Sequence, residues 1–181
     1  NRSHLIPTVL PLVGDGDVVE RLRAGITVAD IGCGAGGAVL MMAQAFPNST
    51  FVGYDISQYA LDRAESRRVE GGVLNARFVD PRHEPLPTDA SVDFVTTFDC
   101  IHDMSHPTQM IASIKEAIAD DGTWLLVDIN GRDPFRETIE INPIAALMYG
   151  LRLSSFMSSS PSQPRALAPA HIAPPTGQAR D

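Results

Sequence analysis

The residues whose types and spacing could do chemistry are a glycine run and three aspartates. Asp30-Ile31-Gly32-Cys33-Gly34-Ala35-Gly36-Gly37 satisfies G-x-G-x-x-G, the dinucleotide fingerprint, and also the shorter G-x-G-x-G pattern of S-adenosylmethionine (SAM) loops. Both patterns use glycine where the chain turns sharply and a ligand must reach backbone amides. The glycines alone leave the two cofactors open. Asp30 separates them, standing two residues before the first glycine. A carboxylate there repels a pyrophosphate but favours the ammonium and sulfonium charges of SAM. Its competing role is to cap the turn. Asp55, 18 residues after Gly37, is placed to accept ribose hydroxyls, which suits either cofactor. Its competing role is a helix cap, which Ser57 can fill instead. Asp80 can accept from an adenine amine, or serve as an ordinary turn aspartate beside Pro81 and Arg82.

A second cluster is Asp99-Cys100-Ile101-His102-Asp103-Met104-Ser105-His106. His102 is the candidate general base, because histidine ordinarily titrates near neutrality. The competing reading is a histidine that only packs or bonds the loop. His102, Asp103 and His106 also have partial metal-ligand spacing. They lack the glutamate of a zincin and run straight into Pro107, so no metal is expected. Cys33 and Cys100 read as buried thiols of neighbouring strands.

The elements that must carry these residues alternate. Short apolar runs at 26–31, 50–54, 76–79, 92–98 and 123–129 read as buried parallel strands. Helices are expected over 17–25, capped by Asp17, over 38–46, stopped by Pro47, over 57–69, and from Pro107 to a close at Gly122. Asn142-Pro143 opens a further helix with Ile144, Leu147, Met148 and Leu151 on one face; Met148 and Tyr149 could face a substrate pocket, and the competing reading is core. This is an α/β three-layer sandwich with a mostly parallel twisted sheet, and its ligand belongs at the carboxyl ends of the strands. The glycine turn, the three aspartates and the cluster from Asp99 all fall there.

At this point the sequence resembles class I SAM-dependent methyltransferases. Val28-Ala29-Asp30-Ile31-Gly32-Cys33-Gly34-Ala35-Gly36 is similar to motif I of that family, and Val52-Gly53-Tyr54-Asp55-Ile56-Ser57 to the acidic strand that follows it. Leu86-Pro87 with Ser91-Val92-Asp93-Phe94-Val95, and Asp121-Gly122-Thr123-Trp124-Leu125-Leu126, resemble the approaches to its fourth and fifth strands. The resemblance implies a Rossmann-like methyltransferase fold with SAM as cofactor. The cofactor-binding set it leads us to expect is Asp30, Gly32, Cys33, Gly34, Gly36, Asp55, Ile56, Asp80 and Phe98. The stretch after Phe98 further resembles bacterial members with an N-terminal winged-helix domain, which this sequence does not contain. The expected division is a linker or the end of a preceding domain over 1–16, a SAM-binding domain over 17–157, and a disordered tail over 158–181. That tail holds five Pro, four Ser and five Ala with no aromatic residue, too little to offset its ordering entropy. Members of that family resemble one another in having seven strands, the last two a hairpin beside the fifth; five are recognised here, so a missing terminal hairpin and a truncated or frame-shifted chain are expected.

The net charge of −8 disfavours nonspecific contact with nucleic acid. No apolar run approaches the roughly 18 residues that span a bilayer. Two cysteines in 181 residues form no disulfide framework, so the expected compartment is the cytoplasm. The expected activity is methyl transfer to an unidentified small-molecule acceptor, with a homodimer possible. The competing functions are a non-catalytic SAM-binding fragment of a regulator and a nicotinamide-dependent oxidoreductase, which Asp30 disfavours.

Overall fold

The computed structural model of this chain describes residues 4–128. Contacts divide the chain after Asp128, and Asn1–Asp128 forms the first unit. The helix expected after Asn142, the tail over 158–181 and any terminal hairpin lie outside the described residues.

Nine elements build the unit: α1 (Asp17–Ala24), β1 (Thr27–Ile31), α2 (Gly37–Ala45), β2 (Thr50–Tyr54), α3 (Gln58–Glu70), β3 (Ala76–Val79), β4 (Val92–Phe98), α4 (Pro107–Ala117) and β5 (Ile118–Val127). The strands form one sheet in the order β3-β2-β1-β4-β5. All four pairings are parallel. The sheet grows outward from β1 in one direction through β2 and β3, then in the other through β4 and β5. The reversal leaves a crevice between the carboxyl ends of β1 and β4, where open α/β sheets bind ligands.

Alternate side chains of each strand serve two cores. Val28, Phe51, Ala76 and Phe94 join Val18 and Leu22 of α1, Val39 and Met42 of α2, and Leu61 of α3. Ala29, Tyr54 and Val95 join Ile114 and Ala117 of α4 and Leu86 of the connection before β4. Burial on both faces explains why the strands read as continuous apolar runs. Leu5 and Leu10 lie in helical turns over Leu5–Val9 and Leu10–Gly16, and both are buried in the first core. Part of the stretch expected as a linker is therefore packed onto the sheet domain.

Two boundaries differ from expectation. Asp17 does not cap α1; Gly16 precedes the helix in a left-handed conformation and Asp17 sits inside the first turn, where its charge still suits the helix dipole. Helix α4 stops at Ala117 rather than Gly122, and β5 starts at Ile118 rather than Thr123. Ile118 is already paired with Val92, and the register jumps before Phe94 meets Thr123, so the intervening residues form a bulge in β5. Ser57 caps α3 as expected, accepting a hydrogen bond from Ala60 N at 3.3 Å. Among the described residues β5 is an edge strand, with Leu126 and Val127 exposed. Trp124 is held inward, its Nε1 donating to Thr97 Oγ1 at 3.0 Å.

Phe94 is fully buried in β4, an interior strand between β1 and β5. Phe94→Ala is expected to destabilise the protein by about 3–5 kcal/mol through lost burial and a cavity, read as a lowered denaturant midpoint.

Candidate functional site

The glycine turn leaves β1 at Ile31 and enters α2 at Gly37. Tyr54 O of β2 accepts from both Gly32 N (2.8 Å) and Cys33 N (3.0 Å), which binds the turn to the neighbouring strand. Gly32 has φ +72, and a Cβ there would stand 2.7 Å from Cys100 Cβ. Only glycine lets the loop after β4 come this close. Gly34 has φ +54 and would meet nothing within 4 Å. Its glycine therefore serves backbone conformation and an open face rather than packing. Arg67 of α3 donates to Ala35 O at 3.0 Å and pins the far side of the turn.

Asp55 brackets the same turn. One carboxylate oxygen accepts from Gly34 N and the other from Ser57 N, each at 2.8 Å. An ionised carboxylate has about four acceptor positions, so these two bonds leave capacity for hydroxyl donors. Ile56, beside it, is 64% exposed, an apolar face at the rim of the site.

Asp30 is buried at the carboxyl end of β1 and accepts from Thr96 Oγ1 at 2.7 Å. Asp30 and Thr96 are register partners on adjacent strands. Burial raises the Asp30 pKa from 3.8 to about 7; the Thr96 bond opposes this and the Asp55 charge adds to it. Thr96 was missed in the sequence, although aligning the carboxyl ends of the expected strands 26–31 and 92–98 pairs it with Asp30.

Asp80 is buried after β3 and clamped by Arg82, whose Nε lies 2.9 Å from Oδ1 and which also donates through its backbone N. These bonds hold the Asp80 carboxyl down at about 2. Arg82 Nη2 also donates to Ile56 O at 2.8 Å, which joins the β2 and β3 ends of the site. The sequence showed Arg82 only as a turn neighbour; here it competes for the acceptor positions expected to serve an adenine.

Phe98 ends β4 and packs against the first core, which includes Cys33. Cys33 is buried beside Gly53, and Cys100 donates to Ile31 O at 3.1 Å. Burial raises both thiol pKa values, that of Cys100 to about 12, with the Asp30 charge adding to each. The two cysteines pack in different clusters.

His102 sits in a short turn, Ile101–Asp103. Its Nδ1 is hydrogen-bonded to the Asp128 carboxylate just past β5, and its Nε2 lies 3.4 Å from Asp103 Oδ1. His106 precedes α4 and is not part of this group. The grouping with metal-type spacing is instead Asp99, His102 and Asp128, whose ligand atoms lie within 4.8 Å of one another. In the sequence Asp99 stood out only as the start of the cluster with His102, and Asp128 not at all. Their signal is position: each directly follows the carboxyl end of a strand.

The expected cofactor residues thus converge on the ends of β1 to β4, on both sides of the crevice. Residues 22–155 match the family described as methyltransferase domain. The chain belongs to that family. Its fold is that of the class I SAM-dependent methyltransferases. An uncharacterised methyltransferase, YcgJ, of Bacillus subtilis (strain 168) is 33% identical over 107 residues, covering 59% of this chain and 42% of that one. A 27-O-demethylrifamycin SV methyltransferase of Amycolatopsis mediterranei (strain S699) is 32% identical over 111 residues, covering 59% and 40%. The chain thus spans less than half the length of these curated relatives. The crystal structure of the Bacillus protein superposes with a TM-score of 0.58 at 29% identity, covering 69% of this chain and 53% of that one. Among the described residues no helix is long and apolar enough to cross a membrane.

Asp30 titrates near 3.8 when unfolded and near 7 when folded. Between those values the folded state holds the extra proton, so stability falls as pH rises through the window. Asp30→Asn keeps an acceptor for Thr96 and removes the titration. It is expected to abolish a decline on the order of a few kcal/mol between about pH 4 and about pH 7, read from denaturant midpoints across that range.

Proposed function

We propose that this chain binds SAM in the β1–β4 crevice and transfers its methyl group to a small-molecule acceptor. The observation that carries this reading is the Asp30 carboxylate, buried beside the glycine turn and held at about 7 by desolvation. A site of this kind gains from a cation, because an opposite charge stabilises the ionised carboxyl. SAM brings an ammonium and a sulfonium, whereas a dinucleotide brings a pyrophosphate, so the same observation disfavours the nicotinamide reading. The residues present fit the rest of the cofactor. Gly32, Cys33, Gly34 and Gly36 form the turn that faces it, with open space at Gly34. Asp55 offers its remaining acceptor positions to ribose hydroxyls. Ile56 offers an apolar face and Asp80 an acceptor to the adenine, with Phe98 closing the β4 side.

SAM supplies an activated methyl, so the protein's task is chiefly alignment. His102 is the group proposed to take a proton where the acceptor must lose one. Support for a small-molecule acceptor comes from the relative named for 27-O-demethylrifamycin SV. The acidic net charge supports the absence of a nucleic-acid partner.

Calorimetric titration with SAM and with NAD tests the cofactor. SAM is expected to bind, and binding of NAD without SAM would overturn the reading. Asp55→Ala is expected to weaken SAM binding by about 1–3 kcal/mol, and an unchanged affinity removes Asp55 from the site. The cation prefers ionised Asp30, so SAM affinity is expected to fall as pH drops below about 7, by up to about tenfold per unit.

A further inference from the structure

One guanidinium bonds both of the residues offered to the adenine. Arg82 Nε lies 2.9 Å from Asp80 Oδ1 and 3.0 Å from Oδ2, and Arg82 Nη2 lies 2.5 Å from Oδ2. The Arg82 backbone N adds a bond of 2.9 Å to Oδ1, which closes an Asx turn around Pro81. Nη2 also donates to Ile56 O at 2.8 Å. Three N–H groups of one residue thus converge on one carboxylate. An ionised carboxylate has about four acceptor positions, so about one is left for a ligand. The Asp80 side chain is 6% exposed and that of Arg82 is 61% exposed. The guanidinium is therefore the part of the pair that meets solvent at the ends of β2 and β3.

Competition for Asp80 favours Arg82. Its side-chain bonds join a cation to an anion, and hydrogen bonds with an ionised partner are roughly twice as strong as neutral ones. An adenine amine is a neutral donor. To take those positions it would displace a side chain that the turn and the tie to Ile56 O already hold in place. In the one position left it meets a carboxylate whose charge is already matched. Asp55 differs. Its bonds come from the neutral backbone amides of Gly34 and Ser57, which leave its charge to the ribose hydroxyls.

We infer that Arg82 sets the base specificity of the site: it takes the Asp80 carboxylate from the ligand, so the 6-amino group of the base is read weakly. The nucleoside is then held chiefly through Asp55 and the apolar face of Ile56. This rests on the SAM binding proposed above. Removing the guanidinium returns the acceptor positions of Asp80 to the base.

Calorimetric titration of the full chain with two ligands tests this. One is S-adenosylhomocysteine. The other is its analogue with hydrogen in place of the adenine amine. The ratio of their Kd values reads the amine alone. In the wild type the analogue is expected to bind less than about tenfold more weakly, below the value of a hydrogen bond to a charged group. Arg82→Ala is expected to raise the ratio by about 10–100-fold, the range such a bond supplies. Arg82→Leu, which keeps an apolar stem and loses the donors, is expected to do the same. Adding Asp80→Ala to Arg82→Ala is expected to cancel the rise. A wild-type ratio above about tenfold, or one that neither Arg82 variant raises, overturns the inference. So does a rise that persists without Asp80, because another group then reads the amine. Wild-type protein that does not bind S-adenosylhomocysteine overturns the SAM reading and this inference with it. Binding with an unmoved ratio overturns this inference alone.

Discussion

The hydrogen bond from Thr96 Oγ1 to Asp30 Oδ1 crosses the junction of β1 and β4, the line along which the sheet reverses its direction of growth. Each partner is buried, and each lies one residue before the point where its strand loses its last register partner across that junction. The bond exists only if the two strands are parallel and in this register, because a one-residue slip would turn the side chains to opposite faces. It also keeps a carboxyl group where water is scarce without leaving that group unpartnered, the condition under which burial of a polar group is tolerated. The glycine turn, the Cys100 contact and the loop carrying His102 all follow from the placement of these two strand ends.

Much of this was legible in the sequence. The strands bury both faces, so their apolar runs stand out from the polar helix surfaces, and the glycine turn interrupts the first run where the fold needs it. Asp30, Asp55 and Asp80 were recognisable because the end of a parallel strand is a position with a function attached to it. What was not legible depends on contacts between segments distant in the chain. Arg82 is two residues from Asp80 and reads as a turn residue until its guanidinium is seen to bridge Asp80 and Ile56 O. Asp128 stands 26 residues from His102 and meets it only through β4–β5 pairing. The end of α4 was misplaced because Gly122 resembles a helix stop, whereas the bulge between Ile118 and Thr123 uses that glycine inside a strand.

Among the described residues the two faces of the sheet are covered unequally. Helices α1, α2 and α3 pack on one side, while the other carries α4 and the connection over 80–91, which contains no helix. Leu86 is what that connection contributes to the second core. Past the β2–β3 pairing, Arg82 adds a polar tie between the two strand ends, bridging Asp80 and Ile56 O.

Cys33 within the glycine turn and Cys100 packed against it would matter to a protein that handles an electrophile. A sulfonium methyl group alkylates thiolates readily and thiols poorly, since the thiolate is the nucleophile. Cys33 and Cys100 are both kept protonated by burial, and the Asp30 charge pushes each further in that direction. The carboxylate that would attract the methyl donor therefore also shields the turn from methylating itself.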